Sequence, residues 1–258
     1  MPYIDFQHLV ELETKCTPAS TIAWHSVAKS HTGRVRNANE DAFYHSSEHG
    51  LWAVADGMGG LHRGDYASGV VAEAFVHFAK ALTLAESIRD LEMKLRNAHS
   101  LCRTSFPGEQ VGSTVAVLFN YGSYVFYLWA GDSRIYRLRR DCLTQETKDH
   151  SVAQDLIARG QLSAAQAEFH PSAHVLTRAV GVHQTLHLEL DYDAVQAGDR
   201  YLICSDGLYK HLAAGDIAQL LAHKTAEEAV NALIDRALDK GGQDNITVIV
   251  VDANEGEG

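Results

Sequence analysis

Four aspartates stand where an apolar stretch stops and a turn residue takes over. Asp56 follows Leu51-Trp52-Ala53-Val54-Ala55 and opens Gly57-Met58-Gly59-Gly60. Asp206 closes Tyr201-Leu202-Ile203-Cys204-Ser205 and precedes Gly207, Asp244 lies in Gly241-Gly242-Gln243-Asp244-Asn245, and Asp132 sits in Gly131-Asp132-Ser133-Arg134. Strand ends are rigid, and a glycine beside the acid lets carbonyl groups and a cation approach closely. Carboxylates, carbonyls and waters are the ligands of hard divalent ions such as Mg2+ and Mn2+. One Asp-Gly is first of all a turn signal. Four at the ends of apolar strands point to a carboxylate metal site, although spacing along the chain leaves open whether they meet.

Competing chemistries find less support. The 15 histidines form no H-E-x-x-H or H-x-H pattern, and most, such as His45, His49 and His170, lie in polar segments and read as solvated surface residues. A zinc site is therefore not indicated. There is no G-x-S-x-G elbow, Cys204 lacks a phosphate-cradling loop, and no Gly-Lys-Ser/Thr follows the glycines at 57–60.

With 33 acidic against 22 basic residues the formal charge is −11. Nucleic acid and an anionic membrane are disfavoured as main partners, since both require a positive surface. An enzyme acting on phosphates with this balance needs bound cations to offset the repulsion. Cys16, Cys102, Cys142 and Cys204 form no C-x-x-C pair, which argues against a disulfide framework and for a reducing cytoplasm. The first residues lack a basic-then-apolar leader pattern, and no apolar stretch reaches the roughly 18 residues that span a bilayer.

The elements that must position these acids follow from periodicity. Strands are expected at about 22–28, 42–46 and 51–55, then a helix over 65–84 with Ala67, Val70, Val71, Ala74, Phe75, Phe78 and Leu82 on one face. A second helix is expected over 86–104, with Ile88, Leu91, Leu95, Ala98 and Leu101 as its stripe. Strands at 113–119, 123–130 and 134–139 are separated by turn residues and read as an antiparallel meander. Strands at 186–192 and 200–205, helices at 214–222 and 226–239 and a strand at 246–251 complete the series, and a short helix is expected near 6–12. Hairpin-linked strands with paired helices outside them suggest a layered α+β fold. Only four prolines and no Ser/Gly-rich tract mark a linker, so one domain is the simpler reading.

In chain order, Arg36 with Glu40-Asp41, Asp56-Gly57-Met58-Gly59-Gly60, Gly112-Ser113-Thr114, Gly131-Asp132-Ser133-Arg134, Leu176-Thr177-Arg178-Ala179, Ser205-Asp206-Gly207 and Asp244-Asn245 resemble the metal-dependent protein phosphatases, protein phosphatase 2C, in their compact bacterial form. The resemblance covers residues 22–252, with 1–21 a lead-in and 253–258 a tail. It implies a four-layer αββα sandwich, two antiparallel sheets between helix pairs, with the site at one end. It implies two Mn2+ or Mg2+ ions bridged by Asp56, with the Gly57 carbonyl, Asp206 and Asp244 as further ligands. Asp132 with Asp206 matches the place of a weaker third ion, and Glu40 and Asp41 match residues that hold metal-bound waters. Arg36 matches the phosphate-binding arginine, whose planar fork grips two oxygens at once. The nearby Arg34 reads as a solvated surface charge.

The implied reaction is hydrolysis of phosphoserine and phosphothreonine in proteins by water ionised between the cations, opposing a bacterial Ser/Thr kinase. A monomer is expected. Met58 stands where eukaryotic relatives carry a histidine acid, and His62, four residues on, is a weak candidate to replace it, so the acid stays open. Residues 149–180 correspond to a variable flap that reads as a mobile surface element. Two other readings share the scaffold: a pseudophosphatase that only binds phosphoproteins, which the presence of Asp56, Asp206, Asp244 and Arg36 disfavours, and a hydrolase of small phosphate monoesters.

Overall fold

The computed structural model describes residues 5–15, 22–59, 63–163, 166, 170–172, 175–222 and 224–256. Strand β3 (Leu51–Gly59) shows how the layers arise. Leu51, Ala53 and Ala55 join one apolar cluster, while Trp52 and Val54 join another, as alternation along a strand requires. A strand buried on both faces belongs to an inner layer. Tyr201, Ile203, Ile249 and Val251 meet Trp52 and Val54 in that middle cluster.

Two antiparallel sheets face each other across it. The first runs β1 (Ile22–His31), β11 (Ile246–Glu255), β10 (Arg200–Cys204), β7 (Arg134–Arg139), β8 (Cys142–Gln145). The second runs β2 (Asp41–Ser46), β3, β5 (Val115–Tyr121), β6 (Tyr124–Ala130), β9 (Glu189–Ala194), with the short β4 (Val111–Ser113) extending β3. Helices α1 (Phe6–Glu13), α2 (Gly64–Glu73) and α3 (Leu84–Thr104) bury Leu9, Val71, Ile88 and Leu91 on the second sheet. Among the later helices, α4 (Val152–Ala158), α5 (Asp206–Tyr209), α6 (Ala214–Leu221) and α7 (Ala226–Asp239), the last two bury Ile217, Leu221, Val230 and Leu233 on the first sheet. The expected αββα sandwich is the fold. No described helix is long and apolar enough to cross a membrane.

Several local expectations need correction. The helix expected over 65–84 stops at Glu73. Phe75 and Phe78 stay buried, but on tight turns in which Phe75, Val76 and Phe78 donate to carbonyls three residues back, and Leu82 is exposed. On α3, Cys102 is buried and Leu101 exposed. The strand expected at 186–192 begins at Glu189, Leu186 and Leu188 packing into the helix-side cluster instead. Strand β8 was not anticipated; its hairpin turns on Arg140 and Asp141, both at positive φ (50° and 63°).

The meander also fails. β5 and β6 pair, but β7 leaves for the other sheet. Gly131 makes the crossing at φ 115°, where a side chain would meet Thr114 atoms at 2.7 Å. Two histidines, His99 and His150, are buried rather than solvated. Both ends of the 149–180 segment are tied down, Thr177 to His150 and Val180 to Ser113 by main-chain bonds, with α4 between. His62 lies outside the described residues.

Candidate active site

The sheets end together, and their ends deliver the acids. Asp41 opens β2 directly opposite Asp56 on β3. Asp206 follows β10, with Ser205 as the first turn's cap, and Asp132 rides the β6–β7 crossing, whereas Asp244, expected where an apolar stretch stops, stands at the entry to β11 after a glycine turn. A cavity of about 730 Å³ opens here, lined by Arg36, Glu40, Asp56, Gly57, Asp132, Asp206 and Asp244. The sequence left convergence undecided; tertiary structure brings these residues to one cavity. Asp41 does not line it but pairs in register with Asp56, which does.

Polar side chains that the sequence reading gave no role stitch the two sheets at this end. Ser205 and Thr247 both donate to Asp41 Oδ2 at 2.7 Å, joining β2 to the other sheet. Thr114 Oγ1 accepts from the Asp56 N–H at 3.0 Å and lies 2.6 Å from Ser133 Oγ, linking Asp56 to the Asp132 crossing. Asn245 donates to the Thr32 and Ala38 carbonyls and accepts from the Glu40 N–H. That single amide shapes the loop that presents Arg36. Only the position of Asn245 beside Asp244 hinted at such a role.

Gly57 is required by contact. A Cβ there would stand 2.0 Å from the Gly64 carbonyl oxygen and 2.5 Å from that of Glu40. The absence of a side chain lets β3, α2 and the Glu40 loop close together. Arg36 Nη2 donates to Asp244 Oδ2 at 2.8 Å, and Lys210 donates to Asp206. Arg34 pairs loosely with Asp239 at 3.7 Å and is exposed, as expected.

The electrostatics record crowded negative charge. Burial, then the carboxylates of Asp206, Asp41, Asp132 and Asp244, push Asp56 well above the usual carboxylate range. Burial chiefly, aided by Asp206 and Asp244 and opposed by the Thr247 and Ser205 hydroxyls, raises Asp41 to about 7. Burial, Asp206 and Asp149 raise Asp132 to about 7. The Asp244 hydrogen bond holds Arg36 above its ordinary value.

Among the described residues, no three His, Cys, Asp or Glu side chains are already drawn together into an ion-holding cluster. Asp206 and Asp244 are engaged with Lys210 and Arg36 instead. The donor set nevertheless fits hard divalent ions. It is all oxygen, it carries more negative charge than Arg36 and Lys210 offset, and Asp41 keeps a buried Oδ1 with no hydrogen-bond partner.

The flap borders the cavity with Leu176 and Ala179, and Val182 just after it lines the cavity too. Arg178 fixes its base through Glu189 at 2.9 Å. His150 accepts from the Gly131 N–H at Nδ1, so Nε2 carries the proton and donates to Glu189 at 2.9 Å. Glu189 thus ties the flap to the residue beside Asp132.

A double antiparallel sandwich with helices outside and an acid-lined cavity across its end defines a class, and the sequence falls within it. Residues 29–244 match protein phosphatase 2C, and the chain belongs to that family. Among relatives, it is 34% identical over 236 residues to serine/threonine protein phosphatase PstP of Mycobacterium tuberculosis, covering 90% of this chain and 45% of that one. The chain thus spans about half the length of this relative. Among solved structures, PppA of Pseudomonas aeruginosa, described as a key regulatory component of T6SS, superposes with a TM-score of 0.83 at 38% identity, covering 90% of this chain and 99% of that one. The PstP catalytic domain, solved with two manganese ions, gives a TM-score of 0.80 at 31% identity, covering 91% and 99%.

Proposed function

We propose that the chain is a metal-dependent serine/threonine phosphoprotein phosphatase. The observation that carries the reading is the delivery of Asp56, Asp132, Asp206 and Asp244, from four separate strand ends, to one cavity that also holds Arg36. Asp56, Asp206, Asp244 and the Gly57 carbonyl would hold a pair of Mn2+ or Mg2+ ions, and a third would need Asp132 together with Asp206. When bound, such ions supply positive charge and Lewis acidity, ionising water near neutral pH and offsetting charge on phosphate.

The chain's own residues do the rest. Asp41, whose Oδ2 is already taken by two hydroxyls, keeps Oδ1 to orient a water, and Glu40 serves beside it. Asp244 braces one nitrogen of Arg36, and the remaining N–H groups of its half-exposed side chain grip phosphate oxygens. Met58 lines the cavity and has no proton to donate to the leaving oxygen.

Substrates on this reading are proteins phosphorylated on Ser or Thr, including a bacterial Ser/Thr kinase whose action the enzyme opposes. The named relatives are serine/threonine phosphatases of bacteria, which supports this. It works as a monomer in the cytoplasm, a placement supported by free Cys102, Cys142 and Cys204. The test is phosphate release from a phosphothreonine peptide by chelator-stripped protein. Release should require added Mn2+ and vanish in Asp56→Asn with the fold retained. Full turnover in that variant, or in excess chelator, defeats the proposal.

A further inference from the structure

Lys210 projects into the cavity and has no part in the scheme above. Its ammonium bonds Asp206, four residues earlier across the single turn of α5, and both residues line the cavity. A second set of contacts holds that turn against the β6–β7 crossing. Tyr209 donates its hydroxyl to the main-chain carbonyl of Asp132 at 3.0 Å. Arg134 lies over the Tyr209 ring at 3.5 Å while gripping Asp149 with two nitrogens at 2.9 and 2.7 Å. The residue after Tyr209 is thereby kept beside both Asp206 and the loop carrying Asp132, and its charge is felt by Asp132 and Asp56 as well.

Among the described residues, Arg36 and Lys210 are the cationic side chains of the lining, and each takes one of its acids. Arg36 serves Asp244, and Lys210 serves Asp206. An ammonium is a compact point charge with three donors, so it competes for the same carboxylate oxygens as a hard cation. We infer that Lys210 is the resident cation of the Asp132–Asp206 side of the cavity, standing in for a further divalent ion that these two aspartates would otherwise hold. The inference rests on the phosphatase reading only in requiring that the cavity take up divalent ions.

Titration calorimetry of MnCl2 into the chelator-stripped full chain tests it, with circular dichroism as the check on folding. Lys210→Met should bind one more Mn2+ per chain than wild type, or bind its weakest ion about tenfold more tightly. Adding Asp132→Asn to that background should remove the gain, and Lys210→Arg should behave as wild type. If Lys210→Met fails to fold, Lys210→Gln, neutral and similar in length, is read in its place. Wild type that binds Mn2+ while the neutral variant gains neither an ion nor affinity overturns this inference alone. Wild type that binds no Mn2+ overturns it together with the phosphatase reading.

Discussion

Replacing Asp132 by asparagine should stabilise the metal-free protein at pH 8 and leave it almost unchanged at pH 4. Asp132 is 7% exposed, and burial, then the carboxylates of Asp206 and Asp149, raise its carboxyl from 3.8 to about 7. A carboxyl raised in this way keeps its proton more readily in the folded chain than in the unfolded one. Well below pH 4 both states are protonated, and folding forces no charge into the cavity. From pH 4 to 7 the unfolded chain ionises first, so stability falls, and above 7 the folded state carries the whole cost. At about 1.4 kcal/mol per pKa unit, that cost has a ceiling of about 4 kcal/mol. Asparagine keeps the shape and sheds the charge, and its amide undergoes much the same desolvation as the protonated acid, so the gain at pH 8 should approach that ceiling, about 3–4 kcal/mol. Urea unfolding in chelator at pH 4, 6 and 8 measures it directly. A variant no more stable than wild type at pH 8, or equally favoured at pH 4, would refute the reasoning. Adding Mn2+ should shrink the advantage, because ions held by Asp56 and Asp206 offset the negative charge that faces Asp132.

Two further substitutions probe the geometry. Gly57→Ala drives a Cβ against two main-chain carbonyls, at 2.0 and 2.5 Å, neither of which can rotate away. It should cost about 1–3 kcal/mol in urea unfolding and weaken Mn2+ uptake by calorimetry, and an unchanged protein on both counts contradicts the close packing. Arg36→Lys keeps the charge but loses the two-pronged grip on phosphate. It should lower kcat/KM on a phosphothreonine peptide about tenfold or more, and equal kinetics would remove Arg36 from phosphate binding.

Much of this architecture is legible residue by residue. The apolar runs before Asp56 and Asp206 and the stripe of α3 are local signals, set by neighbours a few positions away. The overrun of α2 came from the same kind of signal. The spacing of Phe75 and Phe78 suits a helix, but consecutive tight turns bury both rings equally well. Side-chain period reports which face is buried, and only the main chain's own bonds report where a helix stops.

What the sequence by itself determined was the inventory: the acids, the strand ends that carry them, and the all-oxygen chemistry their types allow. What tertiary structure alone decided was who meets whom. The turn at Gly131 could have closed a hairpin; β7 joins the other sheet because β10 offers it a partner more than sixty residues away in the chain. His150 is buried because Glu189 is there to accept its Nε2–H hydrogen bond, and His99 because the Gly181 N–H reaches it. The Asn245 clamp on the Arg36 loop and the place of Lys210 beside Asp206 and the Asp132 crossing depend on the packing of strand ends and a one-turn helix. Hydrophobic period acts over a few residues, whereas the bonds that gather a buried polar site join distant residues and exist only once the sheets have packed.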